Sequence, residues 1–300
     1  MTNHYLTVLI NREGGAASAA GDKLSDQVGA AFEKAGGSAD VQLLKADEID
    51  RALTRAAKRG ERFVVAGGDG TIAAAAQALA GHKTELAILP LGTLNHFAKD
   101  LGIPVELDDA AKLAVNGRAQ GIDVGEVNER RFVNNVSVGL YPFMVRDRDD
   151  IRERRGWPKW LATVPAGWGA LSRLRHHRLH IDLEDGKQPV VTPLLFVGNN
   201  RYSLDSGSVG SRASLREGKL AIYAVKRSSR AALLWFGARA LIGLADHAKD
   251  FAAVGESLAF TVAASGRRIE IALDGEVTQM QLPLAFRAFP GELRVVVPSI

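Results

Sequence analysis

The sequence predicts a mixed α/β protein, with an N-terminal Rossmann-like three-layer α/β/α domain followed by an antiparallel β-sandwich. Three observations carry this expectation. The chain is 300 residues long, more than a single hydrophobic core usually serves. Up to residue 124, apolar strand-like runs alternate with helix-like ones, the pattern of a parallel sheet covered on both faces. Beyond it, short β-branched or apolar runs recur between Gly, Pro and Asp, the pattern of an antiparallel sandwich. Residues 1–124 are therefore assigned to the first domain, to which the C-terminal residues are free to return, and 125–300 to the second.

In the first domain, Leu6–Ile10 reads as a strand and Ala16–Ala35 as a helix stopped by Gly36-Gly37. Val41–Leu44 is a short strand, Ile49–Arg59 a helix and Phe63–Ala66 a strand. A glycine-rich turn leads into an alanine-rich helix, Ile72–Ala80; a strand at Leu86–Leu89 and a helix at Asp108–Val115 follow. In the second domain, strands are expected at Arg131–Val138, Leu179–Leu183, Leu194–Val197, Leu220–Val225, Leu258–Ala263, Arg268–Leu273 and Leu293–Val297. Helical spacing of apolar residues marks Asp147–Arg178, interrupted by Pro158 and Pro165, and Arg230–Lys249.

Composition excludes several classes. The absence of cysteine rules out a disulfide scaffold, thiolate metal sites and a cysteine nucleophile. The N-terminus shows no signal-peptide pattern. No uncharged apolar run approaches the roughly 18 residues of a membrane span. A soluble, cytoplasmic protein is expected. No nucleic-acid recognition motif appears, and aromatics do not interleave with basic residues along a strand. The net charge is only +4. It is uneven, with Arg173, Arg175, His176, His177, Arg178 and His180 crowded after Arg152, Arg154, Arg155 and Lys159. Such a cluster suits either an anionic lipid surface or a solvated helix face.

The strongest chemical signal is Gly67-Gly68-Asp69-Gly70-Thr71, between a strand and a helix. That junction aims free backbone N–H groups and the positive end of a helix dipole at the space above, where a phosphate chain binds well. Glycines let the backbone approach without a Cβ clash. A carboxylate there would repel phosphate unless a cation lay between, so Asp69 argues for Mg²⁺ bridging it to phosphate oxygens. The plainer reading is a tight turn with Asp69 or Thr71 as N-cap. A second loop, Leu89–Ala98 (LPLGTLNHFA), follows the next strand at the same carboxyl edge, where open α/β sheets bind ligands. Thr93 offers it a hydroxyl and Asn95 an amide.

GGDGT followed by LPLGTLNHFAKDLGIP resembles the diacylglycerol kinase catalytic-domain family, which includes bacterial diacylglycerol kinases, YegS-type lipid kinases and sphingosine kinases. The likeness extends over the whole chain through Asn11 in LINREGG, FVNNVSVGLY at 132–141, Val197-Gly198-Asn199, Leu273-Asp274-Gly275-Glu276 and the ending LRVVVP. The resemblance implies a lipid kinase with ATP as donor, Mg²⁺ as metal, a lipid hydroxyl as acceptor and an active site between the two domains. It implies that Gly67, Gly68, Asp69, Gly70, Thr71, Ile72, Ala73 and Thr93 contact ATP, with Asn11 close by, and that Glu276 is the general base. The Asp274–Glu276 pair also makes chemical sense alone, since phosphoryl transfer needs a carboxylate to deprotonate the attacking hydroxyl. As a bare feature, DGE is a common hairpin turn.

Two departures from the family pattern stand out. His96 replaces the aspartate of GTxNDFA. The Asp-Gly-x-Leu element of a structural Mg²⁺ site reads Glu217-Gly218-Lys219-Leu220 here, with Ser214 and Lys219 carbonyls as companion ligands by position. That site is expected to be weakened or lost. A lipid acceptor implies docking at a membrane surface as a peripheral protein. Trp157, Trp160 and Trp168, among Arg and Lys, suit the headgroup layer. Replacing Trp157 and Trp160 with alanine should weaken liposome binding and leave ATP binding intact. Edge strands of the sandwich leave a homodimer open. The rival readings are a kinase of a soluble acceptor, resembling NAD kinase, and a catalytically weak lipid- or nucleotide-binding regulator.

Overall fold

The computed structural model describes residues 5–14, 23–139, 176–184, 186–203, 211–212, 214–225 and 251–298. The basic and tryptophan-rich stretch at 152–175 and the segment 230–249, with Trp235 and Phe236, lie outside them.

The chain divides into two units. The first comprises Met1–Val124, Ser214–Gly218 and Phe289–Ile300, and the second Gly125–Ala213 and Lys219–Ala288. The second therefore does not run unbroken from 125 to 300: a five-residue excursion and the C-terminal residues group with the first.

In the first unit, β1 (Tyr5–Asn11), β2 (Ser38–Leu44), β3 (Arg62–Gly67) and β4 (Glu85–Pro90) form a sheet in the order β2-β1-β3-β4, all parallel. The C-terminal half of the last strand, Leu284–Val297, adds in parallel beside β4. Runs such as Val8–Ile10, Val64–Ala66 and Leu86–Leu89 are apolar without alternation because both faces are covered. Helices α1 (Lys23–Lys34) and α5 (Leu107–Asn116) pack Val28, Phe32, Ala111 and Val115 on the face that carries Val8, Ile10, Val64 and Ala66. The intervening Leu9, Val65 and Ile88 point the other way by strand alternation and are equally buried. Helices α2 (Ala46–Ala57) and α3 (Asp69–Leu79) bury Ile49, Leu53, Ala76 and Leu79. A short helix, α4 (His96–Asp100), was not legible in the sequence.

Arg62 ties helix to sheet. Its guanidinium donates to the carbonyls of Ala114, Val115 and Gly117 at the C-terminus of α5, and pairs with Glu85 at 3.0 Å. Those orphan carbonyls need a donor, and a cation there complements the helix dipole. Burial alone would raise the Glu85 carboxyl, but Arg294 and Arg62 outweigh it and hold it below its ordinary range.

The second unit contains two antiparallel sheets. One runs in the order β12 (Phe251–Ser257), β11 (Leu220–Val225), β10 (Leu194–Asn199), β7 (Asn135–Gly139), β14 (Arg268–Leu273), β15 (Glu276–Gln281). The other places β9 (Gly186–Thr192), β8 (His177–Leu183), β13 (Ala259–Ala264) and the first half of β16 (Leu284–Val297) side by side. Val136, Leu195, Ile222 and Ile271 from one sheet share a core with Ile181, Val262, Leu284 and Phe286 from the other. The Phe260 and Phe286 rings stack at 4.7 Å. The sandwich is as expected.

Several strands were not read from the sequence. β9 (GKQPVVT) and β15 (EVTQMQ) are largely polar edge strands, where one side of the ladder faces water and Pro189 is tolerated. β5 (Arg118–Val127) carries two glycines, and β12 is built from small residues. His177 and Arg178, assigned above to a helix, are in β8.

Candidate functional site

The glycine turn is where the sequence placed it. β3 ends at Gly67, Gly68 is the N-cap in extended conformation, and α3 begins at Asp69. No side chain caps this helix, so its first-turn N–H groups are open to an anion. Neither Asp69 nor Thr71 serves as the cap. Among the described residues the half-buried Asp69 carboxylate has no hydrogen-bond partner.

Glycine is required here by the second loop. A Cβ on Gly92 would lie 2.5 Å from Gly68 Cα and 2.6 Å from Asn95 Oδ1, and one on Gly67 would meet the Thr71 side chain at 2.7 Å. The two loops are thus in backbone contact, joined also by Leu91 N–H donating to the Gly67 carbonyl at 3.0 Å. Gly92→Ala must push these backbones apart and should cost roughly 1–3 kcal/mol. Thermal unfolding should read this as a lowered Tm, together with weakened nucleotide binding.

Asn11, at the end of β1, is drawn into the same site. Its Nδ2 donates to Thr71 Oγ1 at 3.2 Å, and its Oδ1 accepts the Glu13 N–H at 3.0 Å. Thr93 is exposed at the loop tip. Asn95 has a different role from the one expected. It is 7% exposed and left-handed at φ 51. Its Oδ1 accepts the Gly92 N–H, and its Nδ2 donates to the Gly92 carbonyl at 2.7 Å. Its amide folds the loop on itself and is committed there. The side chains of Ile72 and Ala73 are buried with the core, and Ile72 N–H donates to Gly68 O. Any part these two play in a nucleotide site is to support the turn.

In the second unit, Asp274-Gly275 forms a two-residue hairpin between β14 and β15 with both residues at positive φ, 47° and 89°. Asp-Gly suits such a turn. Asp274 Oδ2 accepts the N–H of Val133, and Oδ1 those of Asn134 and Asn135, at 2.8–3.0 Å. The Asp274 carboxylate therefore organises the 133–135 segment, a structural task the sequence did not disclose. Burial pushes its carboxyl up to about 6, against the pull of those three amides and of Arg212. Because the folded value exceeds the ordinary 3.8, this group favours folding most at low pH, and that contribution is lost as pH rises from about 4 through about 6. Carboxyl-carbon NMR should show Asp274 titrating near 6, with the Asn134 amide shifting in step. Glu276 is exposed at the start of β15 and has no partner among the described residues.

Comparison with known proteins decides the family. Residues 5–127 match the model of the diacylglycerol kinase catalytic domain. The chain is 29% identical over 275 residues to a protein of Bacillus subtilis named diacylglycerol kinase, covering 89% of this chain and 88% of the relative. The chain belongs to the diacylglycerol kinase catalytic-domain family. A Cronobacter sakazakii protein named "Probable lipid kinase YegS-like" is 37% identical over 137 residues, 44% of this chain and 42% of the relative. The chain thus matches less than half the length of that relative. A solved diacylglycerol kinase structure from Bacillus anthracis shares the fold, with TM-score 0.70 at 18% identity over 99% of this chain and 98% of that one.

Within this family's pattern, Ser214, Glu217 and Lys219 were the expected ligands of a second metal. The residues present do not fit one. Among the described residues, no group of three His, Cys, Asp or Glu could hold a metal ion. The Lys219 carbonyl accepts the Asn200 N–H at 2.9 Å, and Ser214 Oγ accepts the Arg216 N–H. Glu217 is exposed. The excursion is held instead by Asp123, which sequence reasoning missed. Its carboxylate accepts the N–H groups of Gly218 and Gly291, at 2.6 and 2.9 Å, and its own N–H donates to the Leu215 carbonyl. His96, in place of the family aspartate, is exposed at the start of α4.

Proposed function

We propose that this protein is a lipid kinase that transfers the γ-phosphoryl group of ATP to a lipid hydroxyl, with diacylglycerol as the acceptor, as a peripheral cytoplasmic enzyme. The observation that carries the reading is the uncommitted Asp69 carboxylate at the open N-terminus of α3, on a turn kept Cβ-free by the adjoining Gly92. The names of the relatives point the same way. No helix among the described residues is long and apolar enough to cross a membrane, so the acceptor would have to be met at the bilayer surface.

In this reading the first-turn N–H groups of α3 bind phosphate oxygens. Asp69 fits Mg²⁺, a hard cation bound through one or two carboxylates together with substrate phosphates. When bound, the metal neutralises charge developing on the transferred group. Thr93 binds and orients the nucleotide from the second loop, while Asn11 holds Thr71 and Asn95 holds the loop. Glu276 takes the proton of the acceptor hydroxyl. The hydroxyl oxygen bonds to the γ-phosphorus, the bond to the bridging oxygen breaks, and ADP leaves with that electron pair. Incubation with γ-labelled ATP and diacylglycerol in mixed micelles should transfer label to the organic phase, and chelation of Mg²⁺ should abolish it. Undiminished transfer in excess chelator would remove the metal from the reaction, and no transfer at all would remove the lipid.

A further inference from the structure

The second unit contains a buried cation that the phosphoryl-transfer scheme does not use. Arg212 is only 4% exposed. One guanidinium nitrogen donates to the Val133 carbonyl at 2.6 Å and the Asn199 carbonyl at 3.2 Å, and the other to Asn134 Oδ1 at 2.8 Å. Its charged carbon lies 5.3 Å from the centre of the Tyr202 ring, a cation–π distance. Tyr202 in turn donates its hydroxyl to the Asn134 carbonyl. The same short segment, 133–135, gives its three N–H groups to Asp274. The Asn135 carbonyl accepts the Asp274 N–H at 2.9 Å. The segment is therefore gripped from two sides, its acceptors by a cation and its donors by an anion, and the Arg212 charge acts on Asp274 as well. Burying a guanidinium is costly, and an apolar side chain of similar volume usually stabilises a core as well or better. An arginine fork at this position specifies geometry, because it fixes several acceptors in one plane.

Asp274 is the first residue of the two-residue turn on which Glu276 stands. We propose that Arg212 is a positioning residue for phosphoryl transfer: through the 133–135 segment and Asp274 it sets the hairpin that aims the Glu276 carboxylate. This rests on the reading of Glu276 as the base. Loss of the fork frees the Val133 and Asn199 carbonyls and the Asn134 amide, and the hairpin shifts with the segment that carries it. A displacement of about 1 Å at a reacting group costs on the order of a hundredfold in rate.

The test is a double-mutant cycle on kcat and on KM for ATP, with Arg212→Met and Arg212→Lys each made alone and together with Glu276→Gln. Expected is a fall in kcat of roughly ten- to a hundredfold for each Arg212 variant with KM for ATP within about twofold, and almost no further fall in the E276Q background. A merely structural arginine would lower the residual rate of E276Q by the same factor as that of the wild type, and this additive result would overturn the proposal. Lysine keeps the charge without the fork, so wild-type turnover in Arg212→Lys would overturn it as well. Failure of both variants to accumulate folded protein would place the demand on the fold and also overturn it. An unchanged rate in Glu276→Gln alone would instead sink the base assignment, and this inference with it.

Discussion

Replacing Glu276 with glutamine should lower kcat by about 10²- to 10⁴-fold, the usual contribution of a general base, while KM for ATP stays within about twofold. The reason is local. Glu276 is exposed and has no partner among the described residues, so its removal leaves no buried group unsatisfied. The turn beside it is held by Asp274 and Gly275, which the substitution does not touch. Glutamine keeps the shape and the strand position and removes only the ability to accept the hydroxyl proton. Steady-state kinetics in mixed micelles, with thermal unfolding as the control, measures this directly. A variant with unchanged Tm and unchanged turnover would strip Glu276 of its role.

Replacement of Asp69 by asparagine should act differently, raising the apparent requirement for Mg²⁺ and lowering kcat by roughly a thousandfold or more. Asparagine is nearly isosteric and keeps an oxygen near the helix start, but it carries no charge to hold a divalent cation against phosphate. Stability should change little. An acidic side chain in the first turn is worth about 0.3–1 kcal/mol through the helix dipole, and Asp69 makes no side-chain hydrogen bond among the described residues. Titration of activity with Mg²⁺ at fixed ATP separates this effect from that of Glu276→Gln, for which the Mg²⁺ requirement should be unaltered.

The sequence disclosed those parts of the molecule whose physical demand is local. Gly67, Gly68 and Gly92 could be read because close backbone approach leaves no alternative residue, and the apolar runs of β1, β3 and β4 because burial on both faces permits nothing polar. Asn11 was placed near the turn by resemblance, and its bond to Thr71 spans 60 residues. Asn95 was misread because an amide suited to a ligand is equally suited to its own loop. Asp123 and Arg212 were invisible for a common reason. Their partners are the backbone groups of Gly218 and Gly291 for the one, and of Val133 and Asn199 for the other, far away in sequence and without a side-chain signature. Edge strands such as β15 escaped because half-solvated polar residues carry no strong alternation.

The central claim is that a nucleotide held over the Asp69 turn gives its terminal phosphoryl group to a lipid. The most direct measurement is incubation with γ-labelled ATP in the presence of both a total lipid extract and NAD, followed by mass spectrometry of every labelled product. Label in a lipid bearing one new phosphate on a former hydroxyl, absent with Asp69→Asn and with Glu276→Gln, is the predicted result. Label confined to NADP, or to inorganic phosphate at equal rates in all three proteins, would contradict it.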